Sequence, residues 1–203
     1  MRCTLLLLAL LAAPGLSLAA GADEAPERLY NHLPYAEAPA DALVAFCEGS
    51  SNLLRAEVAQ VVGVMQEAAK AEGITLRAMS CFRSVKTQDY LFYGIAKKRG
   101  QTPEERAKVS APPGYSEHHT GYTIDFGDQD RRTDLGQDFE GSAAGQWLLA
   151  HAAEYGFELS FPLGNTQGVS YEPWHWRYVG TPEAKATFRW ARTLFPASPA
   201  VPD

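Results

Sequence analysis

The order of periodic segments predicts an α+β domain, a small antiparallel sheet flanked by helices. Helical periodicity comes first, short alternating stretches follow with helices between and after them, and the densest polar chemistry falls on loops and strands rather than on a single helix. In chain order, a helix is expected over 51–72, closed by Gly73. The stretch 74–82 alternates as a strand that delivers Arg83, and a helix over 84–99 ends at Gly100. Thr102-Pro103-Glu104-Glu105 opens a short helix, because a Thr N-cap, a first-turn Pro and adjacent acids suit the orphan N–H groups and the dipole. From 122 to 126, Tyr122, Ile124 and Phe126 share one face and Thr123 and Asp125 the other, as a half-buried strand requires. The Asp-, Arg- and Gln-rich segment 127–140 is read as solvated loop, with a border of the substrate cleft as the alternative. A helix over 142–155, stopped by Gly156, leads into a strand over 157–161. A last strand, 175–179, sets His175, Arg177 and Val179 against Trp174, Trp176 and Tyr178, and Thr181-Pro182-Glu183 caps a C-terminal helix.

Around these elements the composition is that of one exported domain. Met1-Arg2, the apolar run from Leu5 to Ala13 and the small residues Ser17 to Ala20 have the layout of a signal peptide, so the expected organisation is 1–20 signal, 21–40 an N-terminal arm and 41–203 a single domain. No later stretch approaches the ~20 apolar residues of a spanning helix, so no stable membrane anchor is expected. The signal would remove Cys3 and leave Cys47 and Cys81, and an exported protein with two cysteines is expected to bridge them. The net charge of −6, one unit more negative once Arg2 is lost, argues against nucleic-acid binding, which needs a basic surface.

Two segments carry the chemistry: Pro113 to Asp125, and Glu172-Pro173-Trp174-His175. A catalytic zinc takes three protein ligands and keeps a position for water. His118, Asp125 and His175 supply three, with His119 competing for the place of His118 in the same loop. Glu172, three residues before a ligand, is placed to reach the water without occupying the metal, which is a general base's position. Asp125 points away from the apolar side of its strand, and large aromatics back His175. Pro173 lacks the N–H of a central ladder, so Glu172 sits at the strand's entrance.

These motifs resemble the VanY-type zinc D-alanyl-D-alanine carboxypeptidases, their L,D-carboxypeptidase relatives and the wider lysostaphin, D-Ala-D-Ala metallopeptidase and hedgehog fold group. The pattern S-x-H-x-x-G-x-A-x-D is met by Ser116, His118, Gly121 and Asp125, with Thr123 in the Ala position; E-x-W-H is met by Glu172, Trp174 and His175. A third pattern, S-G-Y-R-S-x-x-x-Q, is met by Ser80, Arg83, Ser84 and Gln88, with Cys81-Phe82 for Gly-Tyr, so the resemblance spans about 76–180. It implies one Zn2+ held by His118, Asp125 and His175, selecting His118 over His119. It also implies that Glu172 takes a proton from water and passes it to the leaving amine, that Arg83 steadies the substrate carbonyl, and that Ser116 and Gln88 hold the peptide or its terminal carboxylate. The implied activity is removal of the C-terminal D-alanine from peptidoglycan stem peptides, in a periplasm or outside the cell. The alternatives are an L,D-carboxypeptidase, a peptidoglycan endopeptidase, or a zinc-stabilised binding protein of the hedgehog kind.

Overall fold

The computed structural model describes residues 24–46 and 53–197. The expected signal segment lies outside them, as does Cys47, one partner of the expected bridge; Cys81 is buried. Strand β1 (Leu43–Ala45) pairs antiparallel with β2 (Leu53–Arg55), which runs into helix α1 (Ala56–Ala71). The helix expected from residue 51 therefore starts later. Leu54 is fully buried opposite Val44, and the β2 backbone also serves the site loops, its Leu53 carbonyl accepting from Phe82 N–H and its Arg55 N–H donating to Gly121. Tertiary pairing has overridden a good helical pattern here. Val58, Val62, Met65 and Ala69 form the buried stripe of α1, and Gly73, at φ +79°, ends it in the left-handed region.

Strand β3 (Arg77–Ser80) is followed by a helical run made of α2 (Val85–Asp89), a π turn (Tyr90–Gly94) and α3 (Ile95–Arg99). Helix α4 (Pro103–Ala107) has the expected start, a complete capping box between Thr102 and Glu105. A 3-10 turn, Glu117–Thr120, precedes β4 (Thr123–Gly127). Then come α5 (Ala143–His151), a 3-10 turn over Ala152–Tyr155, β5 (Phe157–Leu159), β6 (His175–Tyr178), α6 (Pro182–Thr187) and α7 (Arg189–Leu194). The segment 127–140 is not simply solvated loop: Phe139 is fully buried, and Leu135 and Gln137 reach the wall of a cleft. No helix among the described residues is long and apolar enough to cross a membrane.

The four-stranded sheet has the order β3-β4-β6-β5, all pairs antiparallel. Its register places side chains in rows. Ile124, Trp176 and Leu159 stand side by side on the apolar face, against the α1 stripe and Leu148 of α5. On the other face, one row is Ser80, Asp125 and His175, and the next is Thr123, Arg177 and Glu158. A bulge between Ala78 and Ser80 sets Ser80 opposite Asp125. The chain from Leu29 to Ala38 lies over the loops of this polar face: Tyr35 N–H donates to Gly114 and Ala38 N–H to His119.

Gly121 closes the 3-10 turn at φ +69°, where a Cβ would also stand 2.8 Å from Leu43 Cδ2. Gly121→Ala is expected to lose about 1–2 kcal/mol of stability from the left-handed backbone alone, read by urea unfolding. Unfolding indistinguishable from the parent would show that the turn does not demand glycine.

Candidate active site

The polar face opens into a cleft of about 560 Å³, with His118, Asp125, His175, Glu172, Arg83 and Ser116 all on its wall. Ligand atoms of His118, Asp125 and His175 lie within 4.8 Å of one another, and all three side chains are buried. Two come from directly opposed residues of β4 and β6, and the third from the 3-10 turn. Asp125 Oδ2 is 3.2 Å from His118 Nε2, and Asp125 Oδ1 is 3.1 Å from His175 Nδ1. Each imidazole is oriented from behind. His118 Nδ1–H donates to the Cys81 carbonyl at 2.7 Å, leaving the Nε2 lone pair for the cluster. His175 is turned the other way, with Nε2–H donating to Glu117 Oε2 at 3.1 Å and Nδ1 facing Asp125.

The donor set fits a zinc-like ion. Asp125 Oδ1 is buried and takes no aligned hydrogen bond among the described residues, an unsatisfied acceptor in the centre of two imidazoles. Burial opposes charge on Asp125, but His118 and His175 override it and hold the carboxyl far below its usual range. Burial lowers His118 to about 4, so it is neutral and able to ligate. His175 shows the reverse balance: against burial, the neighbouring Asp125 and Glu117 carboxylates raise it to about 10. Between these acids the ring is cationic, and a metal ion held by His118, Asp125 and His175 would displace that proton.

Glu172 stands at the entrance of β6, its Oε2 3.7 Å from His175 Nδ1. Burial pushes its carboxyl up to about 7, with the His175 charge pulling down and Asp125 pushing up. Arg83 Nη2 is 3.8 Å from Asp125 Oδ2 and donates to Ser80 Oγ at 2.9 Å. Gln88 is placed differently from expectation. It lies behind Arg83, off the cleft wall, with Oε1 accepting from Arg83 Nη1 and Nε2 donating to Ser110 Oγ and the Ala111 carbonyl. Its amide is fully engaged, so it orients Arg83 rather than reaching a substrate. His119 is likewise occupied: Nδ1–H donates to the Arg83 carbonyl and Nε2 accepts from Gly114 N–H.

Glu117 is the residue sequence reasoning missed. Its Oε2 accepts from His175 and from Ser160 Oγ at 2.6 Å, and its Oε1 from Arg177 Nη1 at 2.9 Å. Burial opposes ionisation, but Arg177 and His175 bring the carboxyl to about 2, so it is charged. Arg177 in turn donates through Nε to Glu158 Oε1 at 2.7 Å. The signal was available in the strand pattern, since alternation puts Arg177 on the face of His175, where a buried guanidinium needs carboxylates.

Comparison with known proteins agrees with this geometry. YodJ of Bacillus subtilis (strain 168), a carboxypeptidase by assignment, is 38% identical over 136 residues, 65% of this chain and 48% of its own length. The chain thus spans about half of that relative. The LdcB LD-carboxypeptidase, whose structure accounts for its peptidoglycan recognition, superposes with a TM-score of 0.65 at 33% identity, over 76% of this chain and 75% of that one. A variant of the vancomycin resistance D,D-pentapeptidase VanY in complex with Zn(II) shares the fold at 23% identity and a TM-score of 0.58, over 82% of this chain and 96% of that one. The family model described as VanY, D-alanyl-D-alanine carboxypeptidase, matches residues 51–181, a span that holds every side chain of the cluster, and the chain belongs to that family.

Proposed function

We propose that the chain is an exported zinc peptidase that hydrolyses the C-terminal D-alanine from peptidoglycan stem peptides. The observation that carries this reading is the convergence of His118, Asp125 and His175 on one point in the cleft, with Glu172 and Arg83 beside it. A zinc ion held by the three supplies a Lewis acid and brings the pKa of a water molecule to about 7. The protein groups do the rest. Glu172 takes a proton from the attacking water as its oxygen bonds to the scissile carbonyl carbon, and returns that proton to the nitrogen of the departing D-alanine as the C–N bond breaks. Arg83, fixed by Gln88 and Ser80, donates to the carbonyl oxygen as negative charge develops on it. Ser116, buried on the cleft wall, is placed to hold the peptide backbone. The signal-like N-terminal segment supports export, where such substrates are found.

The D,D reading follows the family description and leaves L,D-cleavage as its nearest rival, given the likeness to LdcB. Zinc-loaded protein incubated with stem pentapeptide and tetrapeptide, with and without chelator, separates them by mass spectrometry. One alanine should leave the pentapeptide in a chelator-sensitive reaction. Loss from the tetrapeptide alone would make the chain an L,D-enzyme, and no cleavage with zinc bound would sink the peptidase reading.

Glu172→Gln is expected to keep one zinc per chain by elemental analysis while kcat falls by roughly 10²–10⁴-fold. Near-normal turnover would remove Glu172 from the role of base.

Glu117→Gln withdraws the charge behind His175 but keeps an acceptor for it. Zinc affinity should drop about 10–100-fold in a chelator competition. Unchanged affinity would mean that Glu117 serves only to neutralise Arg177.

A further inference from the structure

Besides the metal cluster and Arg83, the cleft wall carries two more guanidinium groups, those of Arg99 and Arg106, which the mechanism above does not use. Arg106, on α4, is only 8% exposed. One edge of its fork is fixed: Nε and Nη2 both donate to the Leu91 carbonyl, at 3.1 and 2.8 Å. That carbonyl lies in the π turn. The Ile95 N–H, which a regular helix would direct to Leu91, bonds instead to the Tyr90 and Phe92 carbonyls, and Leu91 is left to hold the arginine. π turns of this kind recur at functional sites. No carboxylate among the described residues lies within ion-pair distance of Arg99 or Arg106. Burial and the like charge of Arg99 both work against the charge on Arg106, with Glu172 as the opposing influence.

An arginine buried without a counterion is costly unless an anion completes it. Its planar fork, already oriented by Leu91, suits a carboxylate. We propose that Arg106, assisted by Arg99, forms a carboxylate-binding subsite of the cleft, separate from Arg83 and the metal cluster. This rests on the peptidase reading for the identity of the ligand. A stem peptide offers two sources of that chemistry: its terminal carboxylate, and a side-chain carboxylate where the third residue is a diamino diacid such as diaminopimelate.

The test is binding rather than turnover, measured by calorimetry on the zinc-loaded Glu172→Gln protein. Three pentapeptides are compared: one with diaminopimelate and a free terminus, the same peptide amidated at the terminus, and the same peptide with lysine as third residue. Adding Arg106→Gln should weaken binding of the first at least about tenfold. The loss should vanish for the one peptide that lacks the recognised carboxylate. If it vanishes with the amidated peptide, the terminus is the ligand; if it vanishes with the lysine peptide, the side chain is. Arg99→Gln, a change at an exposed position, should move affinity in the same direction by a smaller factor and serves if the buried variant fails to fold. An Arg106→Gln effect that is absent, or equal for all three peptides, overturns the subsite. Peptides that bind but are never cleaved by the parent enzyme would sink the catalytic reading and leave the subsite standing, whereas no binding of any peptide overturns both.

Discussion

Beneath the cleft, a fully buried arginine has to balance two carboxylates, and the position of His175 depends on that balance. Arg177, 1% exposed, bridges Glu158 through Nε and Glu117 through Nη1, and Glu117 passes the constraint on to His175 Nε2. Arg192 approaches the other oxygen of Glu158 at 3.3 Å. Such a chain is weak as a source of stability, because taking charges out of water offsets most of their attraction. Breaking it is another matter, since one lost partner strands a buried charge at a cost of about 3–5 kcal/mol. The network therefore acts on geometry: both oxygens of Glu117 are satisfied where it stands, and from there it holds His175 Nε2 and leaves Nδ1 toward Asp125.

The two histidines of the cluster are anchored through opposite ring nitrogens by unlike means. A backbone carbonyl, Cys81, holds His118 by its Nδ1, while a charged side chain, Glu117, holds His175 by its Nε2. The rings meet edge to face, at 88° and 4.9 Å between centroids, with the unanchored nitrogen of each beside Asp125. A carbonyl orients without adding charge. A carboxylate also raises the basicity of the ring it holds, which strengthens a ligand and makes proton and metal compete harder for the same lone pair.

Much of this was legible in the sequence because strand alternation and motif spacing are local signals. The faces of 122–126 and 175–179 were readable from one residue to the next, as was the capping chemistry of Thr102 and Thr181. The approach of Arg83 and Glu172 to the cluster followed from the family motifs. What escaped is decided by contacts between distant segments. Gln88 reads as a substrate group only if its partners at Ser110 and Ala111 are unknown. Glu117 and Glu158 come from separate elements, each alone resembles a surface charge, and only the fold brings both to Arg177. The β2 strand sits inside a helical pattern, and its conformation is set by pairing with β1 and by hydrogen bonds to Phe82 and Gly121.

That strand shows why the site can be assembled with one ligand on a loop. For Asp125 and His175, direct opposition in an antiparallel pair already brings their Cβ atoms to about 4.5–5.5 Å, and only the ring of His175 is left for Glu117 to orient. His118 has no such guarantee. Its carbonyl accepts from Arg83 N–H, its ring is tied to Cys81, and the glycine that ends its turn accepts from Arg55 of β2. Phe82, next to both Cys81 and Arg83, is tied to the same strand through Leu53. The short β2 strand thus fastens the histidine loop and the arginine loop together, and His118 and Arg83 are positioned as one unit. A displacement of β2 would move His118 and Arg83 together relative to the sheet, so the packing of the fully buried Leu54 bears on the geometry of the cluster as well as on the core.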